Sequence, residues 1–208
     1  MNFKNKVVLV TGSSHGIGKA TIIEFAKKGC NVIINYNQSK KEALALKKQI
    51  ESLYPIKVLA IKADISNEEE VINMINKIIS TFGRIDILVN NAGIAIDTTF
   101  EDKTKENFQK ILDVNLIGTF LVSKYASIYM LKQKHGKIIN VSSTNGIDTY
   151  YPYSLDYDAS KAGLISLTHN LSKQLAPYVN VNCVCPGWVN TPMNNDLDSE
   201  YIKEEIAK

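Results

Sequence analysis

Arginine is almost missing from this chain: of 24 Lys and Arg residues, Arg84 is the only arginine. With a formal net charge of +3 and no arginine-rich or basic stripe, the composition argues against a nucleic-acid partner. Cysteine is scarce as well. Cys30, Cys183 and Cys185 include no C-x-x-C pair, and there are three histidines, so neither a disulfide framework nor a metal site is expected. Cys183 and Cys185 alternate along Asn180 to Cys185, which makes them small apolar fillers on one strand face. His135 and His169 read as structural. No run approaches the ~20 apolar residues of a membrane span, and the N-terminus lacks a basic stretch followed by an apolar segment. The expectation is no membrane association and a cytoplasmic protein. Linkers, repeats and low-complexity segments are also lacking.

What is present fits a single α/β domain over 1–208, with 45% hydrophobic and 22% charged residues. Short β-branched runs alternate with helical periodicity. Lys6 to Thr11 is a strand and the run from Lys19 to Lys28 is helical. Then come strand Asn31 to Asn35, helix Ser39 to Ser52, strand Lys57 to Lys62 and helix Asn67 to Phe82. Strand Ile85 to Asn90, one long helix Thr104 to Lys132, strand Lys137 to Val141, helix Asp156 to Leu175 and strand Val179 to Val184 follow. Such alternation predicts a Rossmann-type, doubly wound parallel sheet with helices on both faces.

The first strand runs directly into Gly12-Ser13-Ser14-His15-Gly16-Ile17-Gly18 and then a helix, the arrangement that cradles a pyrophosphate at a helix N-terminus. A glycine turn alone can be purely geometric. Further on, Tyr157 and Lys161 stand four apart, on one helix face, where an ammonium beside a phenol favours the ionised form. Alone, that pair too is a common surface pattern. Asn90-Asn91-Ala92-Gly93, Asn115, Ser143 and Pro186-Gly187 supply the context.

In order and rough spacing, TGxxxGxG, Asn90 to Gly93, Asn115, Ser143, Tyr157 with Lys161, and Pro186-Gly187 resemble the short-chain dehydrogenases/reductases, from Lys6 to about Met193. Within that family the chain looks most like the 3-oxoacyl-acyl-carrier-protein reductases. The resemblance implies an NAD(P)(H)-dependent oxidoreductase interconverting a carbonyl and a secondary alcohol. Ser143 would hold the carbonyl, Tyr157 would give or take the proton, Lys161 would bind the nicotinamide ribose and favour tyrosinate, and Asn115 would anchor a water. Ser142 competes with Ser143, which is chosen because the family serine precedes a glycine by three, as Ser143 precedes Gly146. The implied cofactor residues are Gly12, Ser14, His15, Gly16, Ile17 and Gly18 in the first turn. To these are added Asn37, then Asp64 and Ile65, then Asn91, Ala92 and Gly93. Tyr157, Lys161, Pro186, Gly187, Val189 and Thr191 complete the set. Asp64 has a second reading as a helix cap, and Asn90 to Gly93 as an ordinary turn.

NADP(H) is the expected cofactor, with NAD(H) as the alternative, because Asn35-Tyr36-Asn37-Gln38 carries no acid to accept a ribose hydroxyl. His15, Asn37, Ser39 and Lys40 are candidate phosphate partners. The expected substrate is a small carbonyl or alcohol, free or on acyl carrier protein. A sugar or polyol dehydrogenase and a non-catalytic dinucleotide-binding regulator are the alternatives. A homotetramer or dimer is expected through the long helix, with Ile111, Leu112, Leu116, Phe120, Leu121 and Tyr125 as its apolar surface. Relatives continue with a last strand where this chain ends in a predicted helix, Glu200 to Lys208, so the natural C-terminus is expected to extend further. The loop Asp148 to Ser154 is rich in tyrosine, shaping either a substrate pocket or a subunit contact. Trp188 reads as packing or pocket lining.

Overall fold

The computed structural model describes residues 2–149 and 151–191; Tyr150, Met193 and the helix expected at Glu200 to Lys208 lie outside them. Six parallel strands form one sheet in the order β3-β2-β1-β4-β5-β6: β1 Val7–Val10, β2 Asn31–Tyr36, β3 Val58–Lys62, β4 Ile87–Asn90, β5 Gly136–Val141 and β6 Val179–Val184. Leu9, Ile33, Leu88, Ile138 and Val181 stand side by side across the sheet and face one apolar layer. There they meet α3 (Glu68–Phe82), α5 (Thr119–Lys132) and the end of α6 (Leu155–Gln174). Val8, Val10, Val32, Ile34, Ile87 and Val89 face the other layer, under α1 (Gly16–Lys27) and α2 (Lys40–Leu53). Both faces of the central strands are buried, which is why they read as continuous apolar runs.

Helix ends follow local chemistry. Asn67 caps α3 by accepting the Glu70 N–H at 3.1 Å, three glutamates occupy its first turn, and Gly83 closes it at φ 73°. Carboxylates complement the partial positive charge of a helix N-terminus, and only glycine enters that left-handed conformation without strain.

The expected single helix from Thr104 to Lys132 is interrupted. Thr104 caps α4 (Lys105–Leu112), a π-helical turn occupies Asp113–Gly118, and α5 resumes at Thr119. Tertiary contact overrides periodicity here: a Cβ at Gly118 would meet Ile65 Cγ1 at 2.8 Å, and the Asn115 carboxamide is fully buried and hydrogen-bonded. By length and mean hydropathy alone (1.3), residues 105–132 would pass as a membrane span, contrary to the sequence expectation. Half of the apolar window is buried inside the fold, however, as in a core helix.

A polar tether crosses the sheet beneath the strand ends. Asn90 Nδ2 donates to Ser123 Oγ and to Asn140 Oδ1, both at 2.9 Å, and Asn140 Nδ2 donates to Thr168 Oγ1 at 2.9 Å. These buried amides tie α5, β4, β5 and α6 together just below the crevice, where mispairing would be costly.

Candidate active site

The sheet order reverses between β1 and β4, so the loops leaving these strands diverge and open a crevice at the carboxyl edge. Its volume is about 630 Å³. The glycine turn forms one wall. Gly12 and Gly16 have φ of +59° and +56°, and a Cβ at Gly12 would lie 2.8 Å from Ala92 Cα. At Gly18 a Cβ would lie 2.5 Å from Asn91 Nδ2. Glycine is therefore required by conformation at the first two positions and by space at Gly12 and Gly18.

Two residues whose roles sequence reasoning missed lock this wall. Thr11 Oγ1 accepts the N–H groups of Asn91 and Ala92, each at 3.0 Å. Asn91 Nδ2 returns hydrogen bonds to the carbonyls of Thr11 and Gly12. Asn35 Oδ1 accepts the Gly12 N–H at 3.1 Å, while its Nδ2 holds the Ala63 carbonyl. Thr11 and Asn35 were read as strand ends, and only the fold shows that their side chains cross between loops.

His15 is the N-cap of α1 but offers no side-chain cap, so the helix N-terminus is open toward the crevice. At the other end of this wall, Asn37 Nδ2 donates to Asp64 Oδ2 at 2.9 Å. Burial pushes the Asp64 carboxyl up, but hydrogen bonds from the Ser66 hydroxyl and N–H and from Asn37 outweigh it and hold the pKa below the ordinary value. Asp64 does not cap the helix that follows; Asn67 does. The open helix end, the glycine turn and the donors opposite fit a dinucleotide pyrophosphate and its adenosine end.

Tyr157, Lys161 and Ser143 come together at the centre, with the buried Asn115 behind Gly93. Ser142 is excluded, because its buried hydroxyl donates to the Lys161 carbonyl at 2.8 Å. The Ser143 hydroxyl lies near enough to the Tyr157 phenol to pull its pKa down against burial. Gly146 permits this: a Cβ there would lie 2.7 Å from the Lys161 carbonyl carbon, so the short turn after Ser143 rests directly on α6. Burial raises the Tyr157 phenol above its ordinary pKa, the Ser143 hydroxyl opposes this, and the Asp158 and Asp97 carboxylates add to the rise. Lys161 Nζ lies 5.4 Å from the Tyr157 ring centroid and donates to the Val141 carbonyl at 2.8 Å. Burial and the two carboxylates outweigh the Ser143 effect, so the phenol sits above its ordinary pKa and keeps its proton at neutral pH. Lys161 is itself lowered to about 8, by burial against a smaller opposing effect of Cys183 and Cys185. Those cysteines are not simple fillers; Cys183 sits at half-burial near Thr168 and Cys185.

Asn115, Gly18 and Lys40 do not line the crevice; every other residue expected at the cofactor or the reaction does. The Asn115 carboxamide accepts the Ile94 N–H at 2.8 Å and donates to the Ile94 carbonyl and Ser160 Oγ. It fixes Gly93, where a Cβ would stand 3.6 Å from Lys161 Nζ. The 186–191 loop closes the top: the Thr144 N–H donates to the Pro186 carbonyl at 3.0 Å, and Thr191 lies against Gly16.

The substrate end is walled by Ile96, Asp97, Asn145, Tyr151 and Trp188. Tyr151 packs edge-on against Trp188 at 5.9 Å and Tyr153 at 5.4 Å, so the tyrosine-rich loop does shape the pocket. Beneath it, Lys103 Nζ reaches Asp156 Oδ1 at 3.0 Å and the Ile96 carbonyl at 2.6 Å, a pair almost wholly buried.

Residues 6–202 match the sequence profile of the short chain dehydrogenase family. The 3-oxoacyl-[acyl-carrier-protein] reductase of Synechocystis is 42% identical over 202 residues, covering 97% of this chain and 81% of that one. A reductase of the same description from Thermotoga maritima is 40% identical over 209 residues, covering 100% and 84%. A short chain dehydrogenase from Burkholderia cenocepacia, solved in complex with NADP, superimposes with a TM-score of 0.91 at 32% identity, over 99% of this chain and 83% of that one. NAD+-bound xylitol dehydrogenase gives 0.85 at 30%, over 90% and 72%. The chain belongs to the short-chain dehydrogenase family. It is an oxidoreductase acting between a carbonyl and an alcohol.

Proposed function

We propose a cytoplasmic NADP(H)-preferring carbonyl reductase, formed by a single domain and acting on a 3-oxoacyl group carried as a thioester on acyl carrier protein. The observation that carries the reading is the convergence of the Ser143 and Tyr157 hydroxyls beside Lys161 in a crevice whose far wall is a glycine turn at an open helix end. A bound nicotinamide dinucleotide supplies the hydride. Charge building on the carbonyl oxygen is met by the two hydroxyls, and Tyr157, protonated at neutral pH, gives up its proton to it. Lys161 holds the ribose side and carries positive charge next to the phenol, while Asn115 keeps Gly93 and Ile94 in place around it.

The preference for NADP(H) rests on the end of β2, where Tyr36, Asn37 and Gln38 bring no acid to repel a 2′-phosphate. His15 lines the crevice, and Lys40 opens α2 directly after Ser39, which lines it too. A higher kcat/KM with NADH than with NADPH would refute the preference. The acyl carrier thioester is supported by relatives of that description at about 40% identity. A polyol or sugar substrate is the second reading, favoured by the Asp97 carboxylate and the tyrosine and tryptophan edges at the substrate end. Assays of NADPH consumption with a 3-oxoacyl thioester and with a panel of keto-sugars separate the two. Dinucleotide binding with no turnover on any carbonyl would instead indicate a regulator.

A further inference from the structure

Ser143 has a second set of partners that the reaction itself does not explain. Its hydroxyl donates to Asn145 Oδ1 at 3.3 Å, and its oxygen accepts the Asn145 backbone N–H at 3.2 Å. A carboxamide has nearly the same shape either way round, so something must decide which end faces the serine. Asp158 does so. Asn145 Nδ2 donates to Asp158 Oδ1 at 2.8 Å, and Ser154 Oγ donates to the same oxygen at 2.8 Å. Turning the amide over would set its oxygen against a carboxylate oxygen, and both are acceptors only. The carboxylate therefore keeps Oδ1 on Ser143. Asp158 is held in turn by the first turn of α6, through its N–H to the Ser154 carbonyl at 2.8 Å. The residue next to Tyr157 in sequence thus orients the partner of Ser143 from across the loop.

We propose that Asn145 is a positioning residue, its amide set by Asp158, which holds the Ser143 side chain in one rotamer beside Tyr157 before substrate enters; the Ser143 proton then turns from Asn145 Oδ1 to the carbonyl oxygen while the Asn145 N–H stays on Ser143 Oγ. The inference rests on the reading of Ser143 and Tyr157 as the groups that hold that oxygen. Asn145 acts only through Ser143; Asp158 acts on that serine through Asn145 and also raises the Tyr157 pKa directly, so the comparison is made at pH 7, where Tyr157 is protonated with or without Asp158.

The test is steady-state reduction of a 3-oxoacyl thioester by the full chain with saturating NADPH, using Asn145→Ala, Asp158→Ala, Ser143→Ala and the pairwise doubles, with thermal melts to confirm folding. Asn145→Ala and Asp158→Ala should each lower kcat about tenfold, as the loss of one positioning hydrogen bond would, with KM for NADPH unchanged. Combined with each other they should do no more than Asn145→Ala alone. In the Ser143→Ala background neither should lower kcat further, because the group they position is gone. A loss that persists in that background, a rise in KM for the carbonyl at constant kcat, or wild-type kcat in both single variants would each overturn the proposal while leaving the reductase reading intact. A wild-type enzyme that reduces no carbonyl would overturn both.

Discussion

Lys161 is an ammonium group closed in by the fold, with the Val141 carbonyl as its hydrogen-bond acceptor and a pKa brought down to about 8 by burial. Its neighbour Tyr157 is pushed the other way and remains an acid at neutral pH. Below about pH 8 both groups carry their protons, the combination a carbonyl reduction needs. As pH rises through about 8 Lys161 loses its charge first, so kcat/KM for reduction should fall by up to tenfold per unit beyond that point. A pH profile flat from 7 to above 9, outside the range set by that shift, would contradict the assignment of Lys161 as a required cation. At this scale the sequence was most informative where the motif residues touch the crevice. It gave no side-chain role to Thr11, Asn35, Asn145 or the Lys103 and Asp156 pair, because each acts through a contact between segments distant in the chain or through the rotation of one amide. None of these has a periodic or spacing signature.

Among the secondary-structure elements, strand and helix alternation was legible in the sequence and the boundaries fell within a few residues, because both sheet faces are buried and the strands are uniformly apolar. The long helix was not. Its apolar periodicity runs unbroken through Asp113–Gly118, and only the close approach of Gly118 to Ile65 and the buried Asn115 amide turn it into a π-helical segment. Such segments recur at functional sites, and this one delivers Asn115 to the loop beside Lys161. The wall opposite depends on a buried charge pair: Lys103 anchors the Ile96 carbonyl and Asp156 at the start of α6, and their side chains are 5% and 0% exposed. Removing one partner leaves a buried charge alone, which costs about 3–5 kcal/mol. Lys103→Met should therefore lower the unfolding free energy by an amount of that order in urea titration, and a loss below about 1 kcal/mol, the usual size for an exposed pair, would show that the pair is not buried in solution.

For the molecule as a whole, the helices beside the site leave apolar side chains in water. Of the residues expected to form a subunit contact, Ile111 and Leu121 are instead buried in the core, and Leu116 packs against Gly163. Of the expected residues Phe120 is exposed, and it is joined by Ile117, Ile128 and Leu131 on the π turn and α5 and by Leu155 at the start of α6, which were not expected. Their spacing along α5 keeps them on one side of the helix, a stripe suited to self-association about a two-fold axis. We expect a dimer or tetramer by light scattering at micromolar concentration, and Phe120→Glu should shift it toward monomer; a monomeric wild type would remove the proposed contact.

The central claim is that the Tyr157 hydroxyl delivers the proton to a carbonyl oxygen held between it and Ser143. Tyr157→Phe removes that hydroxyl and little else. Positioned acid catalysis contributes ~10² to 10⁴-fold, about 3 to 5 kcal/mol of barrier, so single-turnover reduction by the variant should slow by that factor while NADPH affinity measured by fluorescence titration stays within about twofold. A Tyr157→Phe enzyme that keeps more than about a tenth of the wild-type single-turnover rate would place the proton donor elsewhere and contradict the account.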